Sequence, residues 1–77
     1  DARPLTITMP VARCTTPVVE RLREVLAAHP GVTQVNLRLT QPGRATVMRL
    51  EDTLRVERST ALFGDLKALL GPGCLAP

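Results

Sequence analysis

At 77 residues the chain has room for one domain, spanning residues 1–77, and at that size only about 60% of the unfolded surface can be buried. Hydrophobic residues make up 44%, which argues against disorder, and Phe63 is the single aromatic, which argues against surfaces built on aromatic anchors or base stacking. Ten Lys plus Arg against seven Asp plus Glu leave a net charge of +3, an excess that suits a mildly basic protein without establishing a nucleic-acid binder.

Residues 1–4 are expected to be loose. Leu5, Ile7 and Met9 alternate with Thr6 and Thr8, which predicts a half-buried strand ended by Pro10. Residues 16–31 read as one amphipathic helix. Thr15 or Thr16 is placed to cap it with a hydroxyl, and Pro17 suits a first helical position. Val18, Val19, Leu22, Val25 and Leu26 form its apolar stripe, and Pro30-Gly31 stops it, with Gly31 expected in the left-handed conformation. Val35, Leu37 and Leu39 alternate with polar residues in a second strand. Gln41-Pro42-Gly43-Arg44 is a turn whose Gly takes a positive φ, and residues 44–50 are a third strand. After Glu51-Asp52, Leu54 and Val56 alternate with Arg55 and Glu57 as a fourth, shorter strand.

Ser59 or Thr60 caps a second helix with the stripe Leu62, Phe63, Leu66, Leu69 and Leu70. Gly64 within it suggests a close contact, since Gly costs about 1 kcal/mol there relative to Ala. Gly71-Pro72-Gly73 ends this helix, and residues 74–77 are an edge strand or loose. The order β-α-β-β-β-α with one apolar face per element predicts an α+β two-layer sandwich. Both helices lie on one face of a four-stranded mixed sheet. The expected core is Leu5, Ile7, Val19, Leu22, Leu26, Val35, Leu37, Leu39, Met48, Leu50, Val56, Leu62, Leu66 and Leu69.

Little here suits catalysis, and no catalytic residue, metal ligand or cofactor is assigned. His29, the only His, falls at a helix end, where a cation offsets the dipole. Cys14 and Cys74 read as reduced thiols of a cytoplasmic protein. The carboxylates, Asp65 and Glu51-Asp52 among them, are scattered, and Gly71-Pro72-Gly73 follows a helix where a phosphate loop would precede one. No run approaches the ~18 apolar residues of a membrane span.

The sheet face away from the core is more informative. Arg38, Arg49 and Arg55 fall on it if the strand phases hold, together with Asn36, Thr40 and Val47. Such a face suits phosphates or an acidic partner, or is a solvated face partly balanced by Glu57. Phe63, Leu70 and Leu75, at the end of the second helix, are either an apolar docking patch or core. Residues 34–39 loosely fit the glutamine-plus-apolar peptides that bind sliding clamps, but such peptides must be exposed, and Val35, Leu37 and Leu39 read as core.

The run from Val18 to Gly31, with Leu22, Val25-Leu26 and His29-Pro30-Gly31, resembles a segment near the end of the bacterial DNA polymerase III alpha subunit in its actinobacterial form. Val35-Asn36-Leu37-Arg38-Leu39 is similar to the strand that follows there. Leu54-Arg55-Val56, Ser59 and Asp65-Leu66-Lys67-Ala68-Leu69-Leu70-Gly71 are similar to the family's closing segment. The resemblance implies a non-catalytic C-terminal domain of a much longer DNA-directed DNA polymerase, a nucleotidyltransferase whose catalytic carboxylates lie upstream. It also implies a role in holoenzyme assembly by protein contact. The implied partners are the rest of the polymerase chain and the clamp-loader tau subunit or the sliding clamp. The alternative, read from the residues themselves, is weak DNA contact through the Arg-bearing sheet face, and no membrane contact is expected. The tail Gly73-Cys74-Leu75-Ala76-Pro77 departs from the family's terminal clamp-binding peptide, having no Gln followed by spaced apolar residues.

Overall fold

Alternation decides the sheet. The computed structural model describes residues 3–75. In it β1 (Leu5–Pro10) pairs in parallel with β3 (Val35–Gln41), placing Leu5 opposite Val35, Ile7 opposite Leu37 and Met9 opposite Leu39. One apolar face therefore runs unbroken across both strands. The chain then turns at Pro42-Gly43, where Gly43 takes the expected positive φ of 79°, and β4 (Arg44–Arg49) returns antiparallel to β3. The sheet is mixed and three-stranded, in the order β1-β3-β4.

The first helix, α1 (Thr16–Ala27), is shorter than the expected 16–31. Thr15 holds its N-cap position, but neither it nor any other side chain makes a capping hydrogen bond there. Pro30 and Gly31 belong instead to a short extended segment, β2 (Pro30–Thr33). Gly31 is not left-handed, because positive φ occurs only at Gly43 and Gly71 among the described residues. Its role is to let another backbone approach. A Cβ at Gly31 would sit 2.3 Å from the Glu57 nitrogen and 2.5 Å from the Val56 carbonyl carbon. The Gly31 N–H donates to the Arg55 carbonyl at 3.2 Å, and the Glu57 N–H donates to the His29 carbonyl at 3.0 Å.

That crossing also corrects the expected fourth strand. Residues 52–54 form a 3-10 turn (Asp52–Leu54), and Val56 bridges Pro30 and Thr33 outside the sheet. Leu54 and Val56 are both buried, so their period-two spacing is real. The backbone they meet is the His-Pro-Gly segment, not β4, so the sheet keeps three strands instead of four.

The second helix, α2 (Thr60–Leu70), begins under a Ser59 cap, with the Leu62 N–H donating to Ser59 Oγ at 3.1 Å. It buries Leu62, Leu66 and Leu70, one side chain every fourth residue. Gly64 has open space around it, so the close contact suggested for it is absent. Gly71, at φ 94°, turns the chain into a last 3-10 turn (Pro72–Leu75). The tail is therefore neither a strand nor loose through Leu75: Cys74 is 2% exposed and part of the core. Arg13, in the 3-10 turn Val11–Arg13, donates to the Leu70 carbonyl at 3.1 Å and places a cation at the end of α2. Residues 1, 2, 76 and 77, where loose ends were expected, lie outside the described residues; Arg3 accepts at its carbonyl from Arg58 Nη2 at 2.6 Å.

Leu22 and Leu26 of α1 and Leu62, Leu66 and Leu70 of α2 join Leu5, Ile7, Met9, Val35 and Leu37 of the sheet in one apolar cluster. Both helices thus cover the same sheet face. Fully burying one such leucine contributes about 1.5–3 kcal/mol. Met9, Leu54, Leu70 and Cys74 are core members absent from the expected set. Val19, Leu39, Leu50 and Leu69 are only partly buried. Met48 departs furthest. Its register opposite Leu37 puts it on the core face, yet it is 41% exposed. Every residue of β4 is exposed, so the helical layer stops short of that edge strand.

Candidate contact surface

The registers assign the sheet's uncovered face. Thr6, Thr8 and Pro10 of β1, Asn36, Arg38 and Thr40 of β3, and Ala45, Val47 and Arg49 of β4 share it. Arg38 stands opposite Val47, and Arg49 opposite Asn36, so the two arginines are diagonal neighbours across the β3–β4 pair. Arg38 is exposed and has no ion pair among the described residues.

Arg55 is not on the sheet. It follows the Asp52–Leu54 turn, where its Nη1 donates to the Val32 carbonyl at 3.0 Å and its Nε lies 3.4 Å from Asp52 Oδ1. The same carboxylate oxygen takes Arg49 Nη2 at 3.1 Å. Asp52 thus draws Arg49 and Arg55 together at the border of the face, while Arg38, the diagonal neighbour of Arg49 on β3, takes no part in this pairing. The Arg49 hydrogen bond, and then the positive charges of Arg55 and Arg49, hold the Asp52 carboxyl below its ordinary value. The signal for this cluster was in the chain: positions 49, 52 and 55 repeat every third residue with alternating charge. Glu57, expected to balance the face, is exposed, and among the described residues it enters no ion pair.

The apolar candidates divide. Leu70, 7% exposed, is core and has little surface to offer, while Phe63 and Leu75 are half-buried against that core. Val32 is the most exposed large apolar side chain, at 84%. The clamp-peptide reading of residues 34–39 fails on geometry. Val35 and Leu37 are buried in the central strand, and Gln34 Nε2 donates to Asn36 Oδ1 at 3.1 Å.

His29 lies beyond the end of α1 and reaches across to α2. Its Nε2 is 2.8 Å from Asp65 Oδ2, a link between helices that no local pattern announced. Beside it a shallow groove of about 310 Å³ runs between Arg21 and Val25 of α1 and Asp65, Ala68 and Leu69 of α2. Cys14 and Cys74 are free thiols, and burial pushes the Cys74 thiol up from its ordinary range. No group of three or more His, Cys, Asp or Glu gathers among the described residues. None of their helices is long and apolar enough to cross a membrane.

These features define a small α+β module with one covered sheet face and one open, arginine-bearing face. No protein-family model matches the chain, and no solved structure matches it. Curated relatives do. The chain is 53% identical over 73 residues, 95% of its length, to the DNA polymerase III subunit alpha of Mycobacterium tuberculosis (strain H37Rv). It is 53% identical over 75 residues, 97% of its length, to that of Mycobacterium leprae (strain TN). It is 35% identical over 68 residues, 88% of its length, to that of Saccharopolyspora erythraea. The chain is thus similar, along nearly its whole length, to a small part of DNA polymerase III alpha subunits, and it spans only about 6% of the length of these relatives.

Proposed function

We propose that the chain is the C-terminal, non-catalytic module of a bacterial replicative DNA polymerase alpha subunit, and that it supports holoenzyme assembly by protein contact during DNA replication in the cytoplasm. The observation that carries this reading is the 53% identity over 95% of the chain to a small part of mycobacterial alpha subunits. The nucleotidyl transfer of the DNA-directed DNA polymerase belongs, on this reading, to the remainder of the parent protein. That remainder is the first partner, and the clamp-loader tau subunit or the sliding clamp is the second. A pull-down of purified tau subunit and purified clamp by the chain at moderate salt is expected to retain one of them. Retention of neither overturns the reading.

A second reading rests on Arg38 and Arg49 sharing the open sheet face. Here the module tracks a DNA backbone. Two phosphate contacts would give a slope of roughly −2 in log affinity against log salt, and Arg38→Glu with Arg49→Glu would abolish binding. No detectable affinity for duplex or single-stranded DNA at low ionic strength removes this reading.

A further inference from the structure

β4 is an outer strand of the sheet, with β3 on one side and no strand on the other among the described residues. A two-residue turn makes Gln41 and Arg44 the hydrogen-bonded pair nearest the turn. Alternation then gives Leu39 with Thr46 and Leu37 with Met48 as the next such pairs, and the Leu50 N–H donating to the Val35 carbonyl at 3.0 Å continues the series. The peptide groups of Ala45, Val47 and Arg49 therefore point away from β3, along an edge whose residues are all exposed. The side chains along this edge sort by face. Arg49 lies on the open face, with Arg38 one strand further in. Met48 lies on the other face, 41% exposed beside half-buried Leu39, where the helical layer ends.

We propose that this edge receives an extended protein segment that alternates acidic and apolar residues, its acids toward Arg49 and Arg38 and its apolar side chains over Met48. Backbone pairing supplies affinity in such an arrangement, and alternate side chains supply specificity. Charge selects the partner. A second copy would bring its own Arg38 and Arg49 against the same face and add its own net charge of +3, whereas a segment with acids at every other position is complementary. The proposal deepens the protein-contact reading and rests on it.

The probe is a synthetic eight-residue peptide of alternating Glu and Val, titrated into the chain while amide NMR shifts are followed. The amides of Ala45, Val47 and Arg49 are expected to move together. Val47→Pro removes one outward N–H without touching the β3–β4 ladder, and it should lower affinity at least tenfold. Ala45→Pro repeats the test at a neighbouring outward amide should Val47→Pro unfold. Arg38→Glu with Arg49→Glu, or a Gln/Val peptide in place of the Glu/Val one, should weaken binding by a similar factor.

Shifts elsewhere, binding unchanged by both proline variants, self-association that the proline variants abolish, or an oligothymidylate that moves the same amides while the peptide does not would each overturn the proposal. The pull-down separates the two levels. Equal retention of tau or clamp by wild type and Val47→Pro removes the edge and leaves the contact reading, whereas no retention by wild type removes the contact reading.

Discussion

Gly31 carries the tightest local requirement in the chain. The peptide joining Val56 to Glu57 lies where its Cβ would be, and backbone cannot swing aside as a flexible side chain can. Gly31→Ala is expected to destabilise the fold by about 3 kcal/mol, the upper end for added bulk in a packed site, read as a lower urea midpoint. The sequence marked Gly31 as a required glycine but for the wrong reason: Pro-Gly after a helix suggests a left-handed turn, and only the distant 55–57 segment reveals a crossing. Asp52 makes a pH prediction. Its folded carboxyl lies below the ordinary value of 3.8, so the ionised form is the one favoured by folding. That contribution is present above about pH 4 and is lost as pH falls through the folded value. Urea midpoints between pH 2 and pH 6 should fall more steeply with acid for wild type than for Asp52→Asn, and added salt should narrow the gap because all three side chains are exposed to solvent.

At the level of elements, the two helices begin differently. Ser59 accepts from the Leu62 N–H, whereas Thr15 occupies the equivalent place before α1 without a capping bond. Ser59→Ala is therefore expected to cost about 1 kcal/mol, and Thr15→Ala only a few tenths of that, in thermal unfolding. Both residues look alike as caps in the sequence, because capping depends on a rotamer that composition does not encode. The strands β1 and β3 were legible because three apolar residues alternate in each, and α2 because its leucines repeat every fourth position. The 54–56 segment misled because two buried residues at period two also satisfy a turn followed by a single bridge. Met48 misled because alternation identifies a face and is silent about whether a helix reaches over it.

For the molecule as a whole, local patterns recovered the two layers and the single apolar cluster, and tertiary closure decided the rest. The tail shows the limit. Gly-Pro-Gly followed by Cys74 reads as an ending, but Arg13 at the Leu70 carbonyl and Cys74 in the core bind the C-terminal turn to the body. For the candidate surface, the Arg38 and Arg49 pairing followed from strand phase. The position of Arg55 did not, since it depended on the fourth strand that the structure replaces with a turn. Cys74 gives a matching test. Burial keeps its thiol neutral to higher pH, so Cys14 should react first with a thiol reagent at pH 8 in the folded chain, and denaturant should bring the two rates together.

The two-residue link at Pro42-Gly43 sets β3 and β4 side by side at once, while β1 must wait for a partner thirty residues along the chain, as the pairing of Leu5 with Val35 requires. Closing that longer loop costs entropy before any contact rewards it, so the hairpin should belong to the folding nucleus and β1 should dock late. In stopped-flow circular dichroism, the natural probe for a chain without Trp or Tyr, Gly43→Ala is expected to lower the refolding arm of the chevron, whereas Leu5→Ala should chiefly raise the unfolding arm.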